Sequence, residues 1–264
     1  MIHYSVLIPQ RDAADALGRL LPQLCRVLGG LTLPFEIICI DDASAPRTAS
    51  RLEDLLDAYA CLRVLRFDTP RGTAAALSAA LAAARGDLVI AMDPRAAGSM
   101  RYLPHLIARL SQHDLVIARH ERPLAEELWQ RVARVPRLIA ARGDVQPWEE
   151  LFWAARREAV GGLALARGAF RILDRIVAAR GFRVCHLLLA EGLPPAGKPY
   201  RSGIVDRLAG YWLKRSFEPH LASEMVRAGE PQPRMLPARY DAARPRYVPQ
   251  PVFTPLEKQS GDSP

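Results

Sequence analysis

The residues of this chain that could do chemistry are acidic, and they follow short apolar runs. Asp93 comes directly after Leu88–Met92, and Asp41 and Asp42 come directly after Phe35–Ile40. A carboxylate at the carboxyl end of a parallel strand lies where open α/β sheets bind their ligands. Two adjacent carboxylates are costly to desolvate, so their placement indicates hydrogen bonding to a ligand. The sequence therefore predicts an acidic binding site at one edge of a sheet.

Each of these acids also has a purely structural interpretation. Asp93 precedes a proline and a loop of small residues, and an aspartate at such a position can cap the turn. Asp42, together with Ser44, can cap the helix that is predicted to begin near Arg47. From the residues alone, both interpretations stay open.

Apolar runs separated by helical patterns supply the strands that position these acids. The runs are His3–Ile8, Phe35–Ile40, Leu62–Phe67, Leu88–Met92 and Asp114–Ala118. We expect Pro9 to end the first strand and Pro22 to kink or restart the helix after it. Strand and helix alternate four times along the chain, which predicts a parallel sheet with right-handed crossovers and an α/β fold.

The helix that follows Gly72 consists almost entirely of alanine and leucine. Such a helix can pack very close to a sheet, and its amino end offers free N–H groups to an anion. Neither a glycine-rich dinucleotide motif nor a phosphate-loop motif follows the first strand. This argues against a dinucleotide enzyme or a nucleoside triphosphatase.

Length and composition predict one globular domain, which we place at 1–228. From Gly229 onward proline recurs without periodicity and apolar residues are isolated, which predicts an extended or disordered tail over 229–264. The net charge of +8 suits phosphate-bearing ligands or an anionic membrane surface. Without a recognisable nucleic-acid-binding motif, we expect no nucleic-acid partner.

The sequence also bears on the compartment in which the protein works. The four cysteines are widely spaced and sit in apolar patterns, which predicts buried free thiols in a reducing compartment. No signal peptide or membrane-spanning run is present, so we expect a cytoplasmic protein. Residues 124–143 form an amphipathic pattern that fits an interfacial helix on a membrane and fits a core-packed helix equally well.

The order of these motifs resembles the family 2 glycosyltransferases, in their dolichyl-phosphate mannosyltransferase-like branch. The resemblance runs from about Tyr4 to Arg215 and is carried by SVLIP, FEIICIDDAS, PRGTAAALSAALAAARGDLVIAMD and DLVIARHER. Two later segments agree with the same branch, Glu150–Val160 and Ala179–Arg201. The resemblance implies the fold called GT-A, a nucleotide-sugar-binding α/β domain around a mostly parallel sheet.

The resemblance also implies where a nucleotide diphosphate sugar would bind. Asp41 and Asp42 would meet the base and the ribose, with uracil or guanine as the base. Asp93 would be the first carboxylate of an Asp-x-Asp signature that holds the diphosphate through Mg²⁺ or Mn²⁺. The predicted donor-binding residues are Pro9, Asp41, Asp42, Ser44, Gly72 and Asp93.

Arg95 stands where the family has its second Asp-x-Asp carboxylate. A lone carboxylate beside a guanidinium is a poor site for a divalent cation, so the sequence leaves metal binding open. In one interpretation Arg95 replaces the metal as a positive charge against the leaving diphosphate, with Asp93 and Arg95 as the catalytic pair. In a second, turnover is lost and a noncatalytic protein binds a nucleotide sugar or a protein partner. In a third, Arg95 is a solvated loop residue.

The acceptor is inferred from the absence of a general base with a motif of its own. A sugar hydroxyl needs such a base, whereas a lipid phosphate is already anionic at neutral pH. We therefore expect a lipid phosphate at a membrane surface as the acceptor. Its predicted binding residues are Arg119, Arg122, Arg156, Arg157 and Lys198, to which the resemblance adds Tyr200 and Arg201.

Overall fold

A computed structural model describes residues 2–120, 151–163, 165, 169–189 and 234–235. Their strands form one eight-stranded sheet in the order β7-β5-β6-β4-β1-β2-β3-β8. The strands are β1 (Tyr4–Gln10), β2 (Phe35–Asp42), β3 (Leu62–Phe67), β4 (Leu88–Met92), β5 (Leu115–His120), β6 (Phe152–Arg156), β7 (Val184–Leu189) and β8 (Arg234–Met235).

Helices connect the strands and cover both faces of the sheet. They are α1 (Ala14–Gly29), α2 (Pro46–Ala58), α3 (Thr73–Ala83), α4 (Leu103–Arg109), α5 (Arg157–Val160) and α6 (Leu173–Ala179). Two 3-10 helices, Ala96–Tyr102 and Ala169–Ile172, precede α4 and α6.

The sheet is mostly parallel, which confirms the predicted α/β class. Strands β1 to β5 and β7 run in one direction, because β6 is antiparallel to both of its neighbours, β4 and β5. In the β4–β6 pair, Leu88 lies opposite Arg156 and Met92 lies opposite Phe152. The carboxyl ends of the parallel strands therefore share one edge with the beginning of β6, and we call this the carboxyl edge. The opposite, amino edge holds the end of β6.

The core lies in two layers, one on each side of the sheet. Along β1, Val6 and Ile8 face the layer covered by α1, α2 and α4, while Leu7 faces the layer covered by α3 and α6. This alternation follows from the two-residue period of a strand that is buried on both faces. The alanines of α3 lie against the sheet, as the composition of that helix predicted.

Two proline predictions are corrected by the structure. Pro9 lies inside β1, opposite Ile40, and does not end the strand. Strand β1 pairs with β4 only as far as Leu7, so no residue of β4 lies opposite Pro9. The missing N–H of Pro9 therefore falls where β1 has no pairing to β4. Pro22 lies inside a continuous α1, because burial of the apolar stripe that includes Leu17 and Leu24 holds both halves of the helix on the sheet.

Several predicted features fall on residues outside the described ranges. They include the amphipathic segment 124–143 and most of the tail. Within the predicted tail, β8 pairs antiparallel with β3. In the described part of the chain, no helix combines the length and the apolarity that crossing a bilayer requires.

Candidate functional site

Asp93 directly follows β4 and forms a bidentate ion pair with Arg95. Nε and Nη2 of Arg95 donate to different carboxylate oxygens of Asp93, each at 2.7 Å. Both side chains are only 5% exposed, and the backbone N–H of Arg95 adds a third bond to Asp93 Oδ1 at 2.9 Å. Asp93 therefore caps its turn, as the structural interpretation predicted. Arg95 is a buried, oriented cation, and the interpretation as a solvated loop residue is corrected.

Asp41 is the penultimate residue of β2, and its side chain is fully buried. Its Oδ1 accepts hydrogen bonds from Gln10 Nε2 at 2.8 Å and from the backbone N–H of Ser44 at 3.2 Å. Its Oδ2 lies 3.4 Å from Arg66 Nε but has no hydrogen-bond partner among the described residues. Burial raises the pKa of Asp41, and the bonds from Ser44 and the charge of Arg66 only partly offset it.

Asp42 holds the loop in front of α3. Its two carboxylate oxygens accept from the backbone N–H groups of Arg71 at 2.6 Å and Gly72 at 3.0 Å. Gly72 has a φ of 89°, a left-handed value that glycine adopts readily. No side chain caps α2, which begins after Ala45. The interpretation that Asp42 caps α2 is therefore wrong, and Asp42 instead joins β2 to the loop at the start of α3.

The carboxyl edge brings the predicted donor-binding residues together. Strand β1 lies between β4 and β2, so the strand ends that carry Asp93 and Asp41 are two strand spacings apart, roughly 10 Å. Pro9 lies in β1 between them. Ser44 follows β2, and Gly72 reaches the same edge through Asp42.

Three residues of this edge were missed by the sequence analysis. Gln10 links Asp41 to the Ser44 hydroxyl, with Nε2 donating to that hydroxyl at 3.2 Å. Asp12 has a φ of 54°, and its Oδ1 accepts from the backbone N–H of Ala45 at 2.8 Å. Arg66 donates through Nη2 to the Ser44 carbonyl at 3.1 Å. The polar run that follows the apolar part of β1 is a signal that could have identified the first two.

The structure separates the predicted acceptor residues. Arg119 lies near the carboxyl end of β5, where its Nη2 contacts Asp174 Oδ2 at 2.8 Å. Arg156 and Arg157 lie at the amino edge, because β6 is antiparallel, and they line a cavity of about 740 Å³ there. Arg156 lies opposite Leu88, and the five residues from there to Asp93 place Arg156 roughly 16 Å from the level of Asp93. Their assignment to the same site as Asp93 is therefore corrected. The remaining predicted residues, Arg122, Lys198, Tyr200 and Arg201, lie outside the described ranges.

The geometry around Asp93 decides whether a divalent cation fits there. Mg²⁺ and Mn²⁺ need several oxygen ligands, and both oxygens of Asp93 are bonded to the Arg95 guanidinium. A cation at Asp93 would also lie beside the fixed positive charge of Arg95. In the described ranges, no three His, Cys, Asp or Glu side chains come together as a metal site. The residues present at Asp93 therefore do not fit the metal that the resemblance implied.

The parallel sheet, with buried acids clustered at its carboxyl edge, defines an α/β domain of the GT-A type. The chain belongs to glycosyl transferase family 2, whose sequence model matches residues 5–165. This confirms the family and the fold that the order of motifs predicted.

Individual relatives agree with this assignment. The chain is 33% identical over 92 residues to an uncharacterized glycosyltransferase of Synechocystis, with 35% of this chain and 29% of that protein covered. It is 27% identical over 184 residues to the dolichol-phosphate mannosyltransferase of Pyrococcus furiosus, with 66% of this chain and 51% of the relative covered. The chain thus spans about half of one relative's length and less than a third of the other's.

A solved structure supports the fold. Glucosyl-3-phosphoglycerate synthase from Mycobacterium tuberculosis, in complex with Mn²⁺ and uridine-diphosphate-glucose, aligns with a TM-score of 0.54 and 17% identity. The alignment covers 81% of this chain and 79% of that one. At this identity the likeness is one of fold.

Proposed function

We propose that this chain is a glycosyltransferase that takes a sugar from a nucleotide diphosphate donor bound at the carboxyl edge. The buried ion pair between Asp93 and Arg95 is the observation that carries the proposal. It sets an oriented cation at the end of β4, and the resemblance to the family implies that the donor diphosphate binds near Asp93. A guanidinium suits phosphate oxygens, because its planar N–H groups can bond two of them at once.

In this proposal Arg95 neutralises the charge that develops on the diphosphate as the bond to the sugar breaks. Asp93 is a positioning residue, because its two bonds fix the plane of the guanidinium. A charge set in place before the reaction needs no reorganisation during it, which is how such groups lower a barrier. Donor binding and transfer therefore proceed without a divalent cation.

The nucleoside is assigned to the end of β2. Asp41 retains a carboxylate oxygen without a hydrogen-bond partner in the described part of the chain, although the side chain is fully buried. An undersatisfied buried acid is costly, and such groups concentrate at functional sites. Gln10 and Ser44 hold the other oxygen and so fix the orientation of the carboxylate.

A lipid phosphate is the acceptor in this proposal. Asp93 and Asp42 are each bonded through both carboxylate oxygens, and Asp41 is assigned to the nucleoside, so this proposal leaves none of the three to deprotonate a sugar hydroxyl. A phosphate acceptor does not need that step. The mannosyltransferase relative carries a lipid phosphate in its name. Arg119, at the carboxyl edge, and the undescribed Arg122, Lys198, Tyr200 and Arg201 remain the proposed acceptor contacts.

Calorimetric titration tests the donor assignment. UDP, GDP and their nucleosides are titrated into the wild type and into Arg95→Ala. We expect Arg95→Ala to weaken binding of the preferred diphosphate by about 10- to 100-fold and to leave the nucleoside almost unchanged, because a charge-assisted contact contributes about 1.5–3 kcal/mol. Arg157→Ala, on the amino edge, is the matched control and should bind as the wild type does. Equal loss of diphosphate and nucleoside affinity in Arg95→Ala would contradict the assignment.

A noncatalytic binding protein is the second candidate. It is favoured by the same pair, because an Arg95 that is neutralised by Asp93 offers less charge to a leaving group. Transfer of labelled sugar from the bound nucleotide to a polyprenyl phosphate in detergent separates the two. Product formation supports the transferase, whereas donor binding without product under saturating acceptor supports the binding protein.

A further inference from the structure

Two cysteines from distant parts of the chain meet at the amino edge. The sulfur atoms of Cys25 and Cys61 are 3.7 Å apart, although the residues are 36 positions apart in sequence. Cys25 lies in α1 and is fully buried, whereas Cys61 directly precedes β3 and is partly exposed. Both are free thiols.

The backbone holds this pair in place from both sides. The carbonyl of Cys61 accepts a hydrogen bond from the N–H of Ile37 at 2.8 Å, which fixes Cys61 to β2. Cys25 faces the core layer between α1 and the sheet, among side chains that include Leu21 and Leu28. To form a disulfide, the two sulfurs must approach from 3.7 Å to about 2.05 Å.

The two thiols differ in reactivity. The hydrogen bond from Cys25 lowers the pKa of Cys61 and outweighs the effect of burial. The same bond, together with burial, raises the pKa of Cys25. Cys61 is also the more accessible of the two. Since a thiolate reacts far faster than a thiol, Cys61 suits the role of nucleophile and the buried Cys25 that of resolving partner.

The other two cysteines lack such an arrangement. Cys39 is fully buried in β2, and burial raises its pKa, with a smaller contribution from Asp41. Cys185 is partly exposed in β7, where Arg109 Nη1 lies 3.7 Å from its sulfur. Cys185 therefore provides an accessible thiol for comparison.

We propose that Cys25 and Cys61 form a redox modification site that a peroxide converts into a disulfide. The Cys61 thiolate attacks one oxygen of the peroxide and breaks the O–O bond. This gives the sulfenic acid and, after one proton is taken up, water. Cys25 sulfur then attacks the Cys61 sulfur, the S–O bond breaks, and the hydroxide leaves with the Cys25 proton as a second water. The thiols lose two electrons to the peroxide, and a thiol reductant reverses the step.

The cross-link joins α1 to the amino end of β3 and leaves the carboxyl edge untouched. Closing a loop of this length limits the freedom of the unfolded chain, which should raise Tm by roughly 10 °C. Donor affinity should not change. The inference is therefore independent of the proposed transferase activity.

Thiol titration of the full chain tests the proposal. Reduced protein is treated with dilute hydrogen peroxide, unfolded, and its free thiols are counted with a chromogenic disulfide. We expect the wild type to fall from four thiols to two and Cys185→Ser to fall from three to one, whereas Cys61→Ser keeps about three. Mass spectrometry of a non-reduced tryptic digest should show peptide 20–26 joined to peptide 52–63.

Three results would overturn the proposal. The first is a wild type that keeps four thiols at peroxide concentrations that oxidise a small-molecule thiol completely. The second is a Cys61→Ser variant that loses two thiols as the wild type does. The third is a cross-link between other peptides. Cys25→Ser repeats the test in case Cys61→Ser does not fold.

Discussion

Strand β2 carries three buried carboxylates, and two of them, Glu36 at the amino edge and Asp41 at the carboxyl edge, have different surroundings. Glu36, at the amino edge, accepts from Ser5 Oγ at 2.7 Å, from Arg63 Nη1 at 2.7 Å and from Arg85 Nη2 at 2.7 Å. Asp41, at the carboxyl edge, has one oxygen with two donors and one with none among the described residues. The same strand thus holds one fully satisfied acid and one partly satisfied acid.

The pKa values of the two acids shift in opposite directions. Burial alone would raise the pKa of Glu36, but the bonds from Arg85, Ser5 and Arg63 outweigh it and lower the pKa. Burial prevails at Asp41 and raises its pKa. The difference indicates that the amino edge is built for stability, whereas the carboxyl edge keeps an acid whose remaining bond a ligand can supply.

Removing the satisfied acid should have the largest effect on stability. We expect Glu36→Ala to lower the free energy of unfolding by about 3 kcal/mol, because it leaves buried donors unpaired. Arg85 is 60% exposed, so water can replace part of its ion pair with Glu36 and limits the loss of stability. Urea unfolding measures the change. Asp54→Ala, which removes an exposed ion pair with Arg51, should cost less than about 0.5 kcal/mol.

The close packing beside Glu36 can be tested at Gly86. A Cβ there would lie 2.7 Å from the backbone nitrogen of Ser5, so Gly86→Ala should lower stability by about 2 kcal/mol. Gly18→Ala, in α1, is the matched control, since its Cβ would have its nearest contact at 3.8 Å from Leu55. Alanine is the better helix former, so this control should gain up to about 1 kcal/mol. Equal effects of the two substitutions in thermal unfolding would contradict the packing.

The opposite pKa shifts predict opposite dependences of stability on pH. Glu36, with a lowered pKa, stabilises the fold above the unfolded-state pKa and loses this contribution as pH falls through the folded value. Asp41, with a raised pKa, does the reverse, since its ionisation at higher pH opposes folding. In urea unfolding from pH 7 to pH 3, Glu36→Gln should lose less stability than the wild type and Asp41→Asn should lose more. Parallel curves for the three proteins would contradict the comparison.

The smallest effect is expected from the tail. Removing 229–264 deletes β8, whose two residues pair with Leu65 and Arg66 of β3. A two-residue ladder contributes about 1 kcal/mol, so Tm should fall by about 2–4 °C while the rest of the fold persists. A much larger fall in differential scanning calorimetry would mean that the tail belongs to the domain.

Much of the fold could be predicted because buried strands are recognisable in the sequence as short apolar runs. Strands β3 and β4 have the predicted bounds, and the acids that end β2 and β4 lie on the predicted edge. Periodicity does not encode strand direction, so the antiparallel β6 could not be predicted. Because β6 is antiparallel, Arg156 and Arg157 lie at the amino edge and not in the same site as Asp93.

The pairing of Asp93 with Arg95 was only partly predictable. An aspartate that accepts from the backbone N–H two residues later is a familiar turn, and the sequence analysis included it. The bidentate side-chain pair depends on burial of that turn by the surrounding chain, which local spacing does not reveal. The predictions that Pro9 ends β1 and that Pro22 breaks α1 were wrong for a similar reason, because tertiary packing overrides the local preference of proline at both positions.

The central claim, that Arg95 takes the place of the metal, is tested most directly by donor affinity with and without a chelator. Calorimetry with the preferred nucleotide diphosphate should give the same Kd for the wild type in EDTA and in Mn²⁺. Arg95→Asp restores a second carboxylate beside Asp93 and should bind the nucleotide only when Mn²⁺ is present, because two carboxylates and the diphosphate supply enough oxygens. A wild type that loses its affinity in EDTA would contradict the account.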